Sequence, residues 1–153
     1  MKSIFLFIAV SLIPVFNAAF ALQNQDNSLR YFSQKMAIRF ASFDLDAEVK
    51  SIFELKVGAP VEIPFTVEKK KKYAVGIATD HWVKGILLNL IDAKNQVIDT
   101  YSSVDTAEKN VGEFYFKTEY EGEYKLQVIL TGTTIKTTKA AFVWGCKKCN
   151  PKK

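Results

Sequence analysis

From Ile52 to Trp144 the chain consists mostly of short runs in which apolar and polar residues alternate, with turn residues between runs. A period of two puts every second side chain on one face of an extended strand. Phe53, Leu55 and Val57 alternate with charged residues until Gly58-Ala59-Pro60 breaks the run. Val61, Ile63, Phe65 and Val67 alternate next. Pro64 in that run suits a sheet edge or bulge, because proline has no N–H to give a ladder. Tyr73, Val75 and Ile77 alternate with Ala74, Gly76 and Ala78, and Ile86 to Ile91 is apolar except for Asn89, as in a central strand. Asp92 to Asn95 reads as a turn, with Val97-Ile98 opening the return strand. Phe114 and Phe116 alternate with Tyr115 and Lys117, and Glu121-Gly122 reads as another hairpin. Tyr124, Leu126, Val128 and Leu130 form the cleanest strand; a threonine-rich link, 131–138, leads to a last strand over Ala140 to Trp144. Seven or eight strands at this spacing predict an all-β fold, an antiparallel β-sandwich.

The chain before Ile52 reads differently. Lys2, an apolar run from Ile4 to Phe16 broken by Ser11 and Pro14, and small residues at Ala19 and Ala21 have the three parts of a secretory leader. Spanning a membrane takes roughly 20 consecutive apolar residues, more than this run supplies. The expectation is therefore cleavage after Ala21, with an uncleaved N-terminal anchor as the alternative, and no transmembrane segment in the mature chain. The polar stretch 22–28 is expected to be a flexible mature N-terminus. Leu29, Phe32, Met36, Phe40 and Phe43 then recur at spacings of three and four, which predicts an amphipathic helix capped by Asn27 or Ser28. A strand through Met36, Ile38 and Phe40 is the competing reading. The acidic, mixed stretch Asp44 to Lys50 supports no assignment.

Without residues 1–21 the chain is long enough for one domain with a core, expected over 29–145 with a Cys/Lys tail at 146–153. The leader holds only Lys2, so 20 basic residues against 16 acidic ones leave the mature chain at +4. That surplus is too small for a nucleic-acid-binding polypeptide, and it permits weak attraction to anionic envelope polymers. Export exposes Cys146 and Cys149 to oxidising conditions, so they are expected to form a disulfide, with bridging to a second chain as the alternative. A bridge closing so short a loop adds little stability. The expected location is secreted or periplasmic.

Two stretches carry a family resemblance. Leu88-Asn-Leu-Ile-Asp92-Ala-Lys-Asn95-Gln-Val-Ile98 is similar to the strand–D-x-x-G–strand hairpin of bacterial pre-peptidase C-terminal domains, with Asn95 in place of glycine. Asparagine tolerates the left-handed turn conformation, so the departure is mild. Gly122-Glu-Tyr124-Lys-Leu126-Gln-Val128 resembles the G-x-Y-x-L-x-V strand of the same family. The resemblance covers about residues 52–131. It implies a jelly-roll-like sandwich of the kind appended to secreted enzymes as an accessory or adhesive module.

Few residues suggest chemistry. His81 is the sole histidine, and no G-x-S-x-G elbow accompanies it. As a metal ligand it would need Asp80, Asp92 or Asp105 brought to it by folding. Asp80-His81-Trp82 joins a carboxylate, an imidazole and an indole on one connection, a set suited to stacking on a sugar and binding its hydroxyls. A Trp82 that seals the end of the sandwich is the plainer reading. Lys69, Lys70, Lys71 and Lys72 offer an anion-docking surface, or simply a solvated turn guarding a sheet edge. Cys146-Lys-Lys-Cys149 has redox-motif spacing, but it lacks the strand–helix setting of such motifs, and two cysteines are half a zinc site.

No catalytic residue, metal or cofactor follows from these observations. They favour a non-enzymatic binding or adhesion module for a glycan or anionic envelope polymer. A structural or assembly subunit with a protein partner in the envelope is the second reading. A small hydrolase or redox protein is the third.

Overall fold

The computed structural model describes residues 13–131 and 136–149, with side chains from Asn27 onward. Much of the expected leader, residues 1–12, lies outside the described residues. One helix, α1 (Ile13–Ser42), precedes eight strands: β1 (Asp46–Lys56), β2 (Val61–Val67), β3 (Lys72–Thr79), β4 (Ile86–Ile91), β5 (Val97–Ser102), β6 (Val111–Lys117), β7 (Gly122–Leu130) and β8 (Thr137–Cys146). They form two four-stranded sheets of order β1-β8-β3-β6 and β2-β7-β4-β5, and each neighbouring pair is antiparallel. Two sheets interleaved in this order make a jelly roll.

The period-two residues fill the space between the sheets. Leu55, Val75, Ile77 and Phe142 come from the first sheet and Phe65, Leu88, Leu90, Tyr124, Leu126 and Val128 from the second, all buried in one cluster. Pro64 sits in β2, an edge strand, where its missing N–H breaks no internal ladder. The β4–β5 connection is the hairpin expected from Asp92 to Asn95. Asp92 Oδ1 accepts from the Lys94 and Gln96 N–H groups at 2.9 Å each, and Asn95 takes the left-handed conformation at φ 60°. Glu121-Gly122 instead connects β6 to β7, which lie in different sheets, so it is a crossing turn and not a hairpin. Gly122 adopts φ 135°, a region that side chains rarely enter.

The helix covers the outer face of the first sheet. Ala74, Gly76, Ala78 and Gly145 keep that face low, so Met36 and Phe40 can bury themselves against it. Lys35 pairs with Glu108, and Arg39 reaches Glu108 at 3.6 Å and Glu113 at 3.1 Å, fixing the helix to β6 and the loop before it. The apolar stripe is as the spacing predicts at Leu29, Met36 and Phe40, all buried. Phe43 is largely exposed and packs its ring against Tyr115, 4.8 Å between centroids. The helix passes through residues 22–28, so neither Asn27 nor Ser28 begins it.

The unassigned stretch after Asp44 is the first half of β1. Its pairing with β8 is regular except for one irregularity between Val49 and Ser51. The last strand also runs further than its apolar core suggests. It ends at Cys146, which is 2% exposed, so the cysteine segment starts inside the sandwich, while residues 150–153 of the expected tail lie outside the described residues.

Candidate functional site

Asp80, His81 and Trp82 form the turn that leaves β3. Asp80 is fully buried, and its Oδ1 accepts from the Trp82 N–H at 3.2 Å while His81 Nδ1 lies 2.8 Å away. Its Oδ2 is buried with no hydrogen-bond partner. Burial pushes the carboxyl above its usual range, and the Trp82 N–H and the imidazole oppose that shift. Ser28 of α1 completes the cluster, accepting from the His81 N–H at 3.2 Å, with its Oγ 3.1 Å from Nδ1. Sequence reading missed Ser28, which is 53 residues away in the chain.

Serine, histidine and aspartate are thus together, but in the wrong arrangement for a relay. In a catalytic triad the carboxylate and the hydroxyl hold opposite ring nitrogens. Here both face Nδ1. The cluster instead ties the β3–β4 turn to the helix. Trp82 does not seal the sandwich: it is 55% exposed and lies against the His81 ring, 4.2 Å between centroids.

The lysine run lies at the other end of the strand. Lys72 begins β3 and Thr79 ends it, a rise of about 23 Å at strand geometry, so Lys69–Lys72 and Trp82 share no surface. The run meets the cysteine segment instead. The Lys147 N–H donates to the Lys72 carbonyl at 3.1 Å, and Lys71 Nζ donates to the Lys148 carbonyl at 2.9 Å. Cys146 and Cys149 are bonded to each other, and both pack on the core. Among the described residues no group of three or more His, Cys, Asp or Glu is placed to hold a metal ion, and no helix is long and apolar enough to cross a membrane.

A cleft of about 980 Å3 opens at this same end, between the free sides of β1 and β2. Its floor is aromatic. Trp144 meets Phe65 edge-on at 5.4 Å and Tyr73 at 4.9 Å, and Phe142 lies 6.0 Å from Phe65. The Tyr73 hydroxyl accepts from the Glu68 N–H at 2.7 Å, and burial raises its pKa. The wall on the β1 side is acidic. In the β1–β8 register Asp46 pairs with Cys146 and Glu48 with Trp144. Those partners face inward, so two carboxylates occupy positions where a closed sandwich would place apolar side chains. Ser51 follows them opposite Phe142, and only from Phe53 do apolar residues resume. Glu68 and Glu121 add carboxylates to the lining, against Lys50 as its one basic residue among the described residues.

The chain matches no family model and no curated protein. Among solved structures it is similar to the PliG protein of Aeromonas hydrophila, a periplasmic inhibitor of g-type lysozyme, at 8% identity and TM-score 0.48, over 65% of this chain and 85% of that one. It is also similar to tripeptidyl peptidase 2, at 8% identity and TM-score 0.46, over 72% of this chain but only 11% of that one. The disulfide-linked pili of Bacillus endospore appendages give 13% identity and TM-score 0.28, over 64% and 89%. These are likenesses of shape. The function proposed below rests on this chain's own residues.

Proposed function

We propose that the chain is an exported, non-enzymatic binding module whose ligand enters the cleft between β1 and β2. The observation that carries this reading is the pair of carboxylates, Asp46 and Glu48, on the inward face of β1 opposite Cys146 and Trp144. Sequences depart from the packing pattern mainly where function requires it. A concave, partly aromatic site with a few converging polar groups is the usual form of a ligand pocket. The leader-like N-terminus and the Cys146–Cys149 bridge fit a secreted or periplasmic location. The acidic wall argues against an anionic envelope polymer as the cleft's ligand.

The two tryptophans make the test direct, since one lies in the cleft and the other on the β3–β4 turn. Protein labelled with 5-fluorotryptophan gives two fluorine resonances, assigned with Trp82→Phe and Trp144→Phe. Titration with a soluble envelope extract should move the Trp144 resonance and leave Trp82 in place. Movement of Trp82 alone would transfer the site to the turn and restore the glycan reading of Asp80-His81-Trp82.

A second reading, assembly with other chains of the envelope, is favoured by β1 itself. The strand is 11 residues long, pairs among the described residues only with β8, and exposes Val49 and Ile52 beside the helix. Such an edge is a template for another strand. Sedimentation of the purified protein checks it: a monomer at high concentration argues against self-assembly.

A further inference from the structure

We infer that the cleft takes a lysine or arginine side chain carried on a segment of a protein partner. This rests on reading the cleft as the binding site. The charge balance comes first. Among the described residues, Asp46, Glu48, Glu68 and Glu121 line it against Lys50, in a chain whose net charge is +5. The local field is therefore opposite in sign to the molecule as a whole, and none of Lys69–Lys72 lines the cleft.

The donor and acceptor inventory agrees. Ionised carboxylates only accept hydrogen bonds, whereas ammonium and guanidinium groups only donate. A sugar hydroxyl does both and would leave its own acceptors short of donors on this wall. The floor suits the same ligand, because a cation is attracted to the face of an indole or phenyl ring, and most strongly to tryptophan. Half-buried Trp144 supplies that ring below the carboxylates, with the buried Phe65 and Tyr73 packed against it.

The shape selects a polypeptide over a free small cation. The cleft runs along two strand edges: among the described residues β1 pairs only with β8 and β2 only with β7. An extended segment can pair its backbone with such an edge while its alternate side chains enter the groove. Pro64 removes a donor from β2, so β1 is the edge with its donors intact, and its regular stretch Asp46–Val49, ahead of the irregularity, is the part that can take an added strand. Glu48 is held by Lys50, and Glu68 lies 3.9 Å from Lys71, so an incoming cation replaces the chain's own lysines at those two carboxylates.

The test is a titration of the purified protein, 15N- and 5-fluorotryptophan-labelled, with hexa-arginine, hexa-glutamine and the neutral sugar chitohexaose. Hexa-arginine should move the Trp144 resonance and the amides of residues 46–51. Its affinity should fall at least tenfold in the double variant Asp46→Asn, Glu48→Gln and should weaken steeply with salt. Hexa-glutamine should leave these signals in place. Equal binding by the double variant overturns the inference. Movement caused by chitohexaose but not by hexa-arginine overturns it too, while preserving the cleft as a binding site. Hexa-arginine without effect, when an envelope extract still moves Trp144, overturns the cationic assignment alone. Silence of Trp144 toward all of them overturns the cleft reading with it.

Discussion

Glu48 lies directly across the β1–β8 ladder from Trp144, with its side chain on the same inward face of the sheet. Two positions further along β8, Cys146 faces Asp46 in the same way. A sandwich closed to its end would bury apolar side chains at both places, whereas here two carboxylates occupy them. The aromatic side chains behind the carboxylates are buried or half-buried, and they meet one another as well as the cleft.

The core itself should respond as ordinary close-packed core. Leu126 is fully buried in the central strand β7, between Tyr124 and Val128 on the same face. Leu126→Ala should cost about 2–5 kcal/mol, the usual range for emptying such a position. Urea denaturation measures it, and a negligible change would contradict the register described here.

Helix docking depends on a missing side chain. A Cβ at Gly76 would come within 2.5 Å of Met36 Sδ and 2.9 Å of the Gly112 carbonyl oxygen. Met36 can shift, but the carbonyl belongs to the neighbouring strand β6. Gly76→Ala should therefore destabilise the protein by about 1–3 kcal/mol, as overpacking does. Wild-type stability in Gly76→Ala would show that both the helix and the β6 backbone can yield to the added methyl group.

The buried Asp80 predicts a pH dependence of definite sign. Its carboxyl binds a proton more tightly folded than unfolded, because burial raises its pKa above the ordinary 3.8. The folded state then holds more protons through that interval, so stability falls as pH rises through it. Asp80→Asn keeps an oxygen for the Trp82 N–H and removes the charge. Its melting temperature should exceed wild type at pH 7, with the difference shrinking toward pH 3. A variant less stable than wild type at pH 7 would mean that His81 holds the carboxylate more strongly than burial opposes it.

Replacing both cysteines by serine is not neutral in this structure. The bridge closes a very short loop and restricts the unfolded chain little. Cys146, however, belongs to the core cluster, and Cys149 packs against it. A buried serine hydroxyl without a partner costs about 1–3 kcal/mol. The double serine variant should keep a β-sheet circular dichroism spectrum and lose stability in that range. An unchanged denaturation midpoint would place the cysteine segment outside the core.

Much of this fold is legible in the residue pattern, and the exceptions have identifiable causes. Alternation finds β2, β6 and β7 because alternate residues point into the core, and it finds β3 through Tyr73, Val75 and Ile77 although the helix buries the other face as well; the apolar run of β4, broken only at Asn89, marks its central place. The helical stripe reads correctly because Met36 and Phe40 have a sheet of small residues to lie on. Glu121-Gly122 misleads because a tight turn looks alike whether it joins neighbours or crosses between sheets. The cleft is hidden by the irregularity between Val49 and Ser51. Counting back by twos from Leu55 and Phe53 puts Val49 and Ala47 inside, whereas the extra residue shifts the parity and turns Glu48 and Asp46 inward. The sequence leaves open whether Trp82 and the lysine run share one end of the sandwich, and β3 separates them.

The central claim is that Asp46 and Glu48 face inward for a ligand and not for the fold. Equilibrium urea denaturation of the double variant Asp46→Asn, Glu48→Gln tests it most directly, since both changes keep size and shape while removing charge. The double variant's stability should lie within about 1 kcal/mol of wild type, the most that an exposed pair such as Glu48–Lys50 ordinarily contributes. A loss of about 3 kcal/mol or more would show that the carboxylates hold the sandwich together, and the cleft would then be structural.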